Sequence, residues 1–172
     1  MITPLQRPKI EILVGPIASG KSTYSKHRAS QGAIIINDDA IVNAVHSNLY
    51  KLYHVSLKPL YKAVENTILQ TALTLNRDVI IDRPNYSRAM RRRYIGIAKS
   101  LDAEIKIIVF PRSSLEVHVN RRMQSNSRGF SYEEWLEAAR AHDAQYEEPS
   151  KLDEVDEIVL LDPKTIKALL ND

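Results

Sequence analysis

One short segment, Gly15 to Thr23 (GPIASGKST), constrains this chain more than any other. Its first eight residues fit G-x-x-x-x-G-K-[ST], a phosphate-binding loop in which each fixed residue type has a physical reason. Glycines allow unusual backbone angles and close approach of a ligand. Successive backbone N–H groups then turn inward as an anion nest, and the following helix adds its positive N-terminal dipole. Lys21 would reach the β- and γ-phosphates of a nucleotide, and the Ser22 hydroxyl would ligate Mg²⁺. The expected contacts to ATP are Gly15, Ala18, Ser19, Gly20, Lys21, Ser22 and Thr23. The setting suits the motif, because an apolar strand pattern, Lys9 to Val14, precedes it and a helical pattern, Lys21 to Ala29, follows.

Beyond the loop, short apolar runs alternate with longer helical patterns, the signature of a parallel α/β sheet. Strands are expected at Ala33 to Ile36, Asp78 to Ile81, Glu104 to Phe110 and Ile158 to Leu161. Helices are expected from Asp39 to about Leu49, from Leu57 to Asn76 with apolar Leu60, Val64, Ile68 and Leu75, and from Ser87 to Ser100. Ser113 with Glu116, and Ser131 with Glu134, read as capping boxes. Asp162 followed by Pro163 reads as an N-cap and a proline at the first helical position. The expected architecture is a three-layer α/β P-loop NTPase fold with a five-stranded parallel sheet, helices on both faces and a helical lid. Residues 1–172 are expected to form a single domain, with the lid at about 121–130.

Composition excludes several chemistries. The absence of cysteine removes disulfides, thiolate metal sites and cysteine nucleophiles. The histidines lack a metal-ligand spacing. No apolar run approaches the roughly 18–20 residues of a membrane span, and no signal peptide is read, so a cytoplasmic setting is expected. Net charge is +3, but residues 77–130 carry 12 Lys/Arg against 5 Asp/Glu, whereas residues 131–172 carry 4 against 12. A basic middle suits phosphate-bearing ligands, including nucleic acid, and equally suits a solvated helix face. Tyr50, Tyr53 and Tyr61, with His46 and His54, are expected to pack or cap rather than stack on bases. Trp135 is expected in a core or interface.

Open α/β sheets bind ligands at the carboxyl ends of their strands. Asn37-Asp38-Asp39 follows the second strand, and Asp82-Arg83-Pro84-Asn85 the third. Phosphoryl transfer to an alcohol needs an acceptor for the hydroxyl proton. Asp38, nearest the strand end, is the expected base. Asp39 competes, with first-turn or capping charge as its alternative role. Asp82 follows an apolar strand as a Walker B acid does and is expected at the metal with Ser22. Arg121, Arg122 and Arg128 flank the polar stretch Gln124 to Ser127 before Gly129, a plausible lid whose closure would bring an arginine onto the phosphates. Arg83, Arg88, Arg91, Arg92 and Arg93 lie on the acceptor side, where each could grip substrate phosphates or be solvated. A guanine-reading N-K-x-D and a transporter signature of the L-S-G-G-Q type are both absent, and motor and AAA+ ATPases need longer chains, which leaves a small kinase as the favoured class.

Four segments, GPIASGKST, INDD (Ile36 to Asp39), IIDRPN (Ile80 to Asn85) and Arg121 to Gly129, resemble the P-loop kinase domain of bacteriophage-type polynucleotide 5′-hydroxyl kinases. The resemblance implies an ATP- and Mg²⁺-dependent transfer to the 5′-hydroxyl of DNA or RNA in a cytoplasm, phage proteins in a host included. It implies Lys21 and Ser22 at the phosphates and magnesium, and Asp38 as general base. It also implies Asp82 as the acid of a D-x-T-N segment, Arg128 as the lid arginine and Arg121 as a second basic lid position. Asp39, Asp82, Arg83, Asn85 and Arg88 are the expected substrate contacts. Pro84 replaces the threonine of D-x-T-N, and Asn37 stands where relatives often carry arginine. No D-x-D-G-T phosphatase segment is present. Two other readings remain at this point. One is a small-molecule kinase acting on a nucleoside, nucleotide, sugar or antibiotic; the other is a nucleotide-binding ATPase without an acceptor. Nothing in the sequence sets the oligomeric state.

Overall fold

Strand β1 (Lys9–Val14) has almost every residue buried, which is the burden of a central strand in a parallel sheet covered on both faces. In the computed structural model, which describes residues 7–126 and 128–168, β1 pairs in parallel with β3 (Val79–Ile81) and β4 (Glu104–Val109). β2 (Ile34–Ile36) extends the sheet beyond β3, and β5 (Glu157–Leu160) extends it beyond β4. The order is β2-β3-β1-β4-β5, all parallel. Alternation along the strands sorts side chains between two faces. Ile10, Ile12, Val14, Ile36, Ile81 and Ile107 pack beneath the helices that follow β2 and β3, whereas Leu13, Ile80, Ile108 and Phe110 face Tyr24 and Ile166 on the other side.

The helices are α1 (Lys21–Ser30), α2 (Asp38–Val45), α3 (Lys58–Thr74), α4 (Arg88–Ser100), α5 (Leu115–Met123), α6 (Tyr132–Ala144) and α7 (Pro163–Ala168). Short 3₁₀ turns cover Tyr50–Leu52, Val55–Leu57 and Lys151–Asp153. The expected five-stranded sheet with helices on both sides is present. No described helix is long and apolar enough to cross a membrane.

Several boundaries move for identifiable reasons. α2 begins at Asp38 rather than Asp39, because the Asn37 side chain accepts from the Ala40 N–H and caps it. It stops at Val45, before Ser47 and Asn48 adopt positive φ. α5 is capped by Ser114, which accepts from the Val117 N–H. The expected box of Ser113 with Glu116 is therefore not formed: the cap moves to Ser114, and the Ser113 N–H donates instead to His118 Nε2 at 3.0 Å. The Ser131–Glu134 capping box on α6 is present as expected, and Asp162 caps α7 through the Thr165 N–H. Along α3 the buried stripe is Tyr61, Glu65, Leu69 and Ala72, so expected Leu60 and Leu75 are exposed. Ser127 of the expected lid lies outside the described residues. The helices on either side of it, α5 and α6, pack around a small cluster of Val119, Trp135, Leu136 and Ala139.

The acidic C-terminal part folds onto the basic middle. Arg91 and Asp153 are both fully buried and pair at 2.9 Å. Lys99 meets Glu154, and Lys106 meets Glu157. Arg91, grouped by sequence with solvated arginines, is thus a core residue. Three positive charges of the basic middle are thereby paired within the fold.

Candidate active site

The loop between β1 and α1 is shaped as an anion cradle. Ala18 (φ 49°) and Gly20 (φ 103°) both take left-handed backbone angles, the alternation that turns consecutive N–H groups the same way. No side chain caps α1, and its first turn carries no acid, so its N-terminal N–H groups and dipole face the cradle unopposed. At Gly15 an added Cβ would stand 2.8 Å from Phe110 Cβ and 2.9 Å from Ser19 Oγ; only glycine fits. Lys21 is buried and folds back over the loop, donating to the carbonyls of Gly15 (2.8 Å) and Pro16. Burial lowers its pKa to about 8, against the opposing pull of Asp82.

Asp82, at the end of β3, is also buried. Burial raises its pKa, while Lys21 and hydrogen bonds from Ser22 and Asn37 favour the carboxylate. Ser22 and Asp82 therefore stand together beside the phosphate cradle. Among the described residues no cluster of three or more His, Asp or Glu could hold a metal alone. A hydroxyl, one carboxylate and the phosphates themselves are the donor set that suits Mg²⁺.

Asp38, Asp39, Asp82, Arg83, Arg122 and Arg128 line a groove with Lys21 and Ser22. The same Asp38, Asp39, Arg83 and Arg128 border an adjoining cleft of about 510 Å³, walled by Tyr50, Tyr53, Tyr61 and Tyr86. Asp38 therefore sits between the phosphate cradle and the cleft. Its carboxylate is half-exposed and pairs with Arg83 at 2.7 Å. Burial raises the Asp38 pKa, and Arg83 acts in the opposite direction. Asp39 is engaged by Arg128, whose guanidinium also lies 5.0 Å from the Tyr50 ring centroid.

The remaining expected residues divide. Arg121 is exposed and absent from the lining of groove and cleft, whereas Arg122 lines the groove. Arg122 lies over Trp135, 4.6 Å from the ring centroid. Asn85 borders the cleft, but its side-chain amide donates inward to the carbonyls of Leu13 (2.7 Å) and Arg83 (3.1 Å). Arg88 does not line the cleft; its backbone N–H donates to the Glu147 carboxylate.

Sequence reasoning passed over Glu65 and His142, and it expected Tyr50, Tyr53 and Tyr61 to pack or cap without placing them at a cleft. Tyr50, Tyr53 and Tyr61 stack in series, with centroids 6.1 and 5.6 Å apart. His142 stacks on Tyr86 at 4.7 Å and reaches both groove and cleft. Only Glu65 left a sequence signal, because it falls four residues after Tyr61 and four before Leu69 on the buried face of α3.

A five-stranded parallel sheet with this loop between its central strand and α1 defines a P-loop NTPase fold. The family of AAA domains matches residues 10–149, and the chain belongs to it, so the expectation that AAA+ ATPases need longer chains does not set this chain apart from that family. Comparison with curated proteins gives no significant match. Among solved structures, the fold is similar to a fungal RNA kinase, at 16% identity over 90% of this chain and 74% of that one, with a TM-score of 0.62. A chain of the Pnkp1/Rnl/Hen1 RNA repair complex is similar at 19% identity, 83% and 47% coverage and a TM-score of 0.64. This chain thus spans about half of that one. The Mycobacterium tuberculosis APS kinase CysC, in complex with AMPPNP and APS, is similar at 14% identity, 96% and 99% coverage and a TM-score of 0.58.

Proposed function

We propose that this protein is an ATP-dependent phosphotransferase that delivers the γ-phosphate to an alcohol. The observation that carries this reading is the position of Asp38, a carboxylate shared by the groove over Lys21 and the adjoining cleft. A nucleotide-binding ATPase without an acceptor needs no such carboxylate facing a second cavity.

The cradle and Lys21 would hold the β- and γ-phosphates. Ser22 and Asp82 would hold Mg²⁺, which supplies charge neutralisation at the transferring phosphoryl group. Asp38 would take the proton of the acceptor hydroxyl as that oxygen bonds to γ-phosphorus and the bond from phosphorus to the β,γ-bridging oxygen breaks, releasing ADP. Arg122, already over the groove, and Arg128, released from Asp39, would stabilise charge on the transferring group. Residues 121–130 would act as the lid that carries them.

The favoured acceptor is the 5′-hydroxyl of DNA or RNA. It is supported by the motif resemblance and by the likeness to an RNA kinase and an RNA repair protein. The small-molecule reading is favoured by one observation: Arg91, Lys99 and Lys106 of the basic middle pair with acids of the C-terminal part. γ-³²P-ATP offered with 5′-hydroxyl DNA, 5′-hydroxyl RNA, nucleosides and sugars distinguishes them. Label on oligonucleotides is expected; label only on a nucleoside or sugar would transfer the assignment to that class.

Nucleotide binding should also depend on pH through Lys21. Bound phosphates would restore its proton affinity, so the free protein, with a pKa of about 8 against 10.5 ordinarily, must take up a proton to bind above pH 8. ADP affinity is expected to be flat up to about pH 8, then to fall by up to about tenfold per unit toward pH 10. Calorimetric titration across this range checks it; a flat profile would mean that Lys21 does not meet the phosphates.

A further inference from the structure

Glu65 is a charged residue in the core, 2% exposed on the inner face of α3. Its carboxylate meets three partners. Arg93 Nη1 lies at 2.7 Å, Arg83 Nη1 at 3.1 Å, and the Tyr94 hydroxyl donates to it at 2.5 Å. Arg83 in turn donates to the Tyr94 oxygen at 2.7 Å and pairs through Nη2 with Asp38. One guanidinium is therefore shared between a buried carboxylate and the carboxylate at the mouth of the cleft. A buried charge is costly unless fully partnered, and sheet-to-helix packing alone gives no reason to place one here. Arg83 alone on Asp38 would make that carboxylate a poorer proton acceptor.

We infer that Glu65 is a positioning residue: by holding one arm of Arg83 it divides that guanidinium between two carboxylates and so leaves Asp38 free to accept the acceptor's proton. The inference rests on the proposed phosphotransfer. The charged and titratable groups around Asp38 come from every neighbouring element: Asp39 on α2, Glu65 on α3, Arg83 after β3, and Arg93 and Tyr94 on α4. Lys58 and Lys62 on α3, and Arg128 and His142 across the cleft, line the same cavity. Of these, Glu65 and Asp39 raise Asp38, and Arg83 and Arg93 lower it. Neutralising Glu65 removes an opposing negative charge and leaves Arg83 to Asp38.

The test follows the Asp38 carboxyl carbon by NMR titration in the native protein and in Glu65→Gln, with Asp38→Asn supplying the assignment. This readout needs no turnover. Asp38 is expected to titrate at lower pH in Glu65→Gln. The acidic limb of phosphoryl transfer from ATP to a 5′-hydroxyl oligonucleotide should move the same way, with kcat about tenfold lower and KM for ATP unchanged. Tyr94→Phe, which leaves every charge in place, should act in the same direction but less, and decides the matter if Glu65→Gln does not fold. An Asp38 titration unmoved in the folded variant would overturn the inference. A moved titration in a protein that phosphorylates no alcohol would sustain the positioning role and remove the proposed function instead.

Discussion

Lys21→Ala is expected to cost a hundredfold to a thousandfold or more in phosphoryl transfer, on the order of losing one preorganised donor from the transition state, without loss of stability. The two halves of this expectation have one cause. Lys21 is buried among the carbonyls of its own loop, and burial already lowers its affinity for a proton. A positive charge held there is a cost to the fold that the loop carbonyls and Asp82 offset only in part, and a bound anion would offset the rest. Its removal should leave the melting temperature unchanged or raised, while ADP no longer stabilises the protein. If Lys21→Ala melted well below the native protein, the ammonium would be a structural tether of the loop rather than a phosphate ligand.

The second large effect is structural. Asp153→Ala is expected to lower unfolding stability by about 3–5 kcal/mol, the cost of leaving one member of a buried ion pair uncompensated. Arg91 and Asp153 are both fully buried, and Asp153 Oδ2 also accepts from Arg91 Nη2 at 3.1 Å. The guanidinium further donates to the carbonyls of Asn85 (3.2 Å) and Glu147 (3.0 Å). Asn85 in turn clamps the end of β1, where the phosphate loop begins. The pair therefore ties the acidic C-terminal part to the base of the candidate site. Urea unfolding measures the effect. A loss below about 1 kcal/mol would show that water reaches Arg91 when its partner is removed.

Local chemistry made most of the fold legible. Strands β1 and β4 and the loop between β1 and α1 follow from patterns contained within a few residues. So do the caps at Ser131 and Asp162. Asp38 and Asp82 could be placed because open sheets present their strand ends to one crevice. The misreadings share a cause, which is partnership across long separations. Arg91 looks like part of a basic helix face until Asp153, far along the chain, pairs with it. The tyrosines at 50, 53 and 61 do pack, as expected, but that the 3₁₀ turns and α3 bring them to one wall of the cleft was not legible. Arg121 and Arg122 cannot be told apart by type; the buried face of α5, set by His118 and Val119, decides that Arg122 lines the groove. Glu65 lies between Tyr61 and Leu69 on one helix face, but the stripe expected through Leu60, Val64 and Ile68 set it to one side, and its partners Arg83 and Arg93 were not legible.

The central claim is that Asp38 accepts the proton of an alcohol that takes the γ-phosphate. Asp38→Asn keeps the shape of the side chain and removes its basicity. The most direct measurement compares this variant with the native protein, following ATP affinity by calorimetry and transfer of labelled γ-phosphate to a 5′-hydroxyl oligonucleotide. Unchanged ATP affinity with transfer reduced by about a hundredfold to ten-thousandfold is the predicted result. Transfer at the native rate in Asp38→Asn would contradict the account.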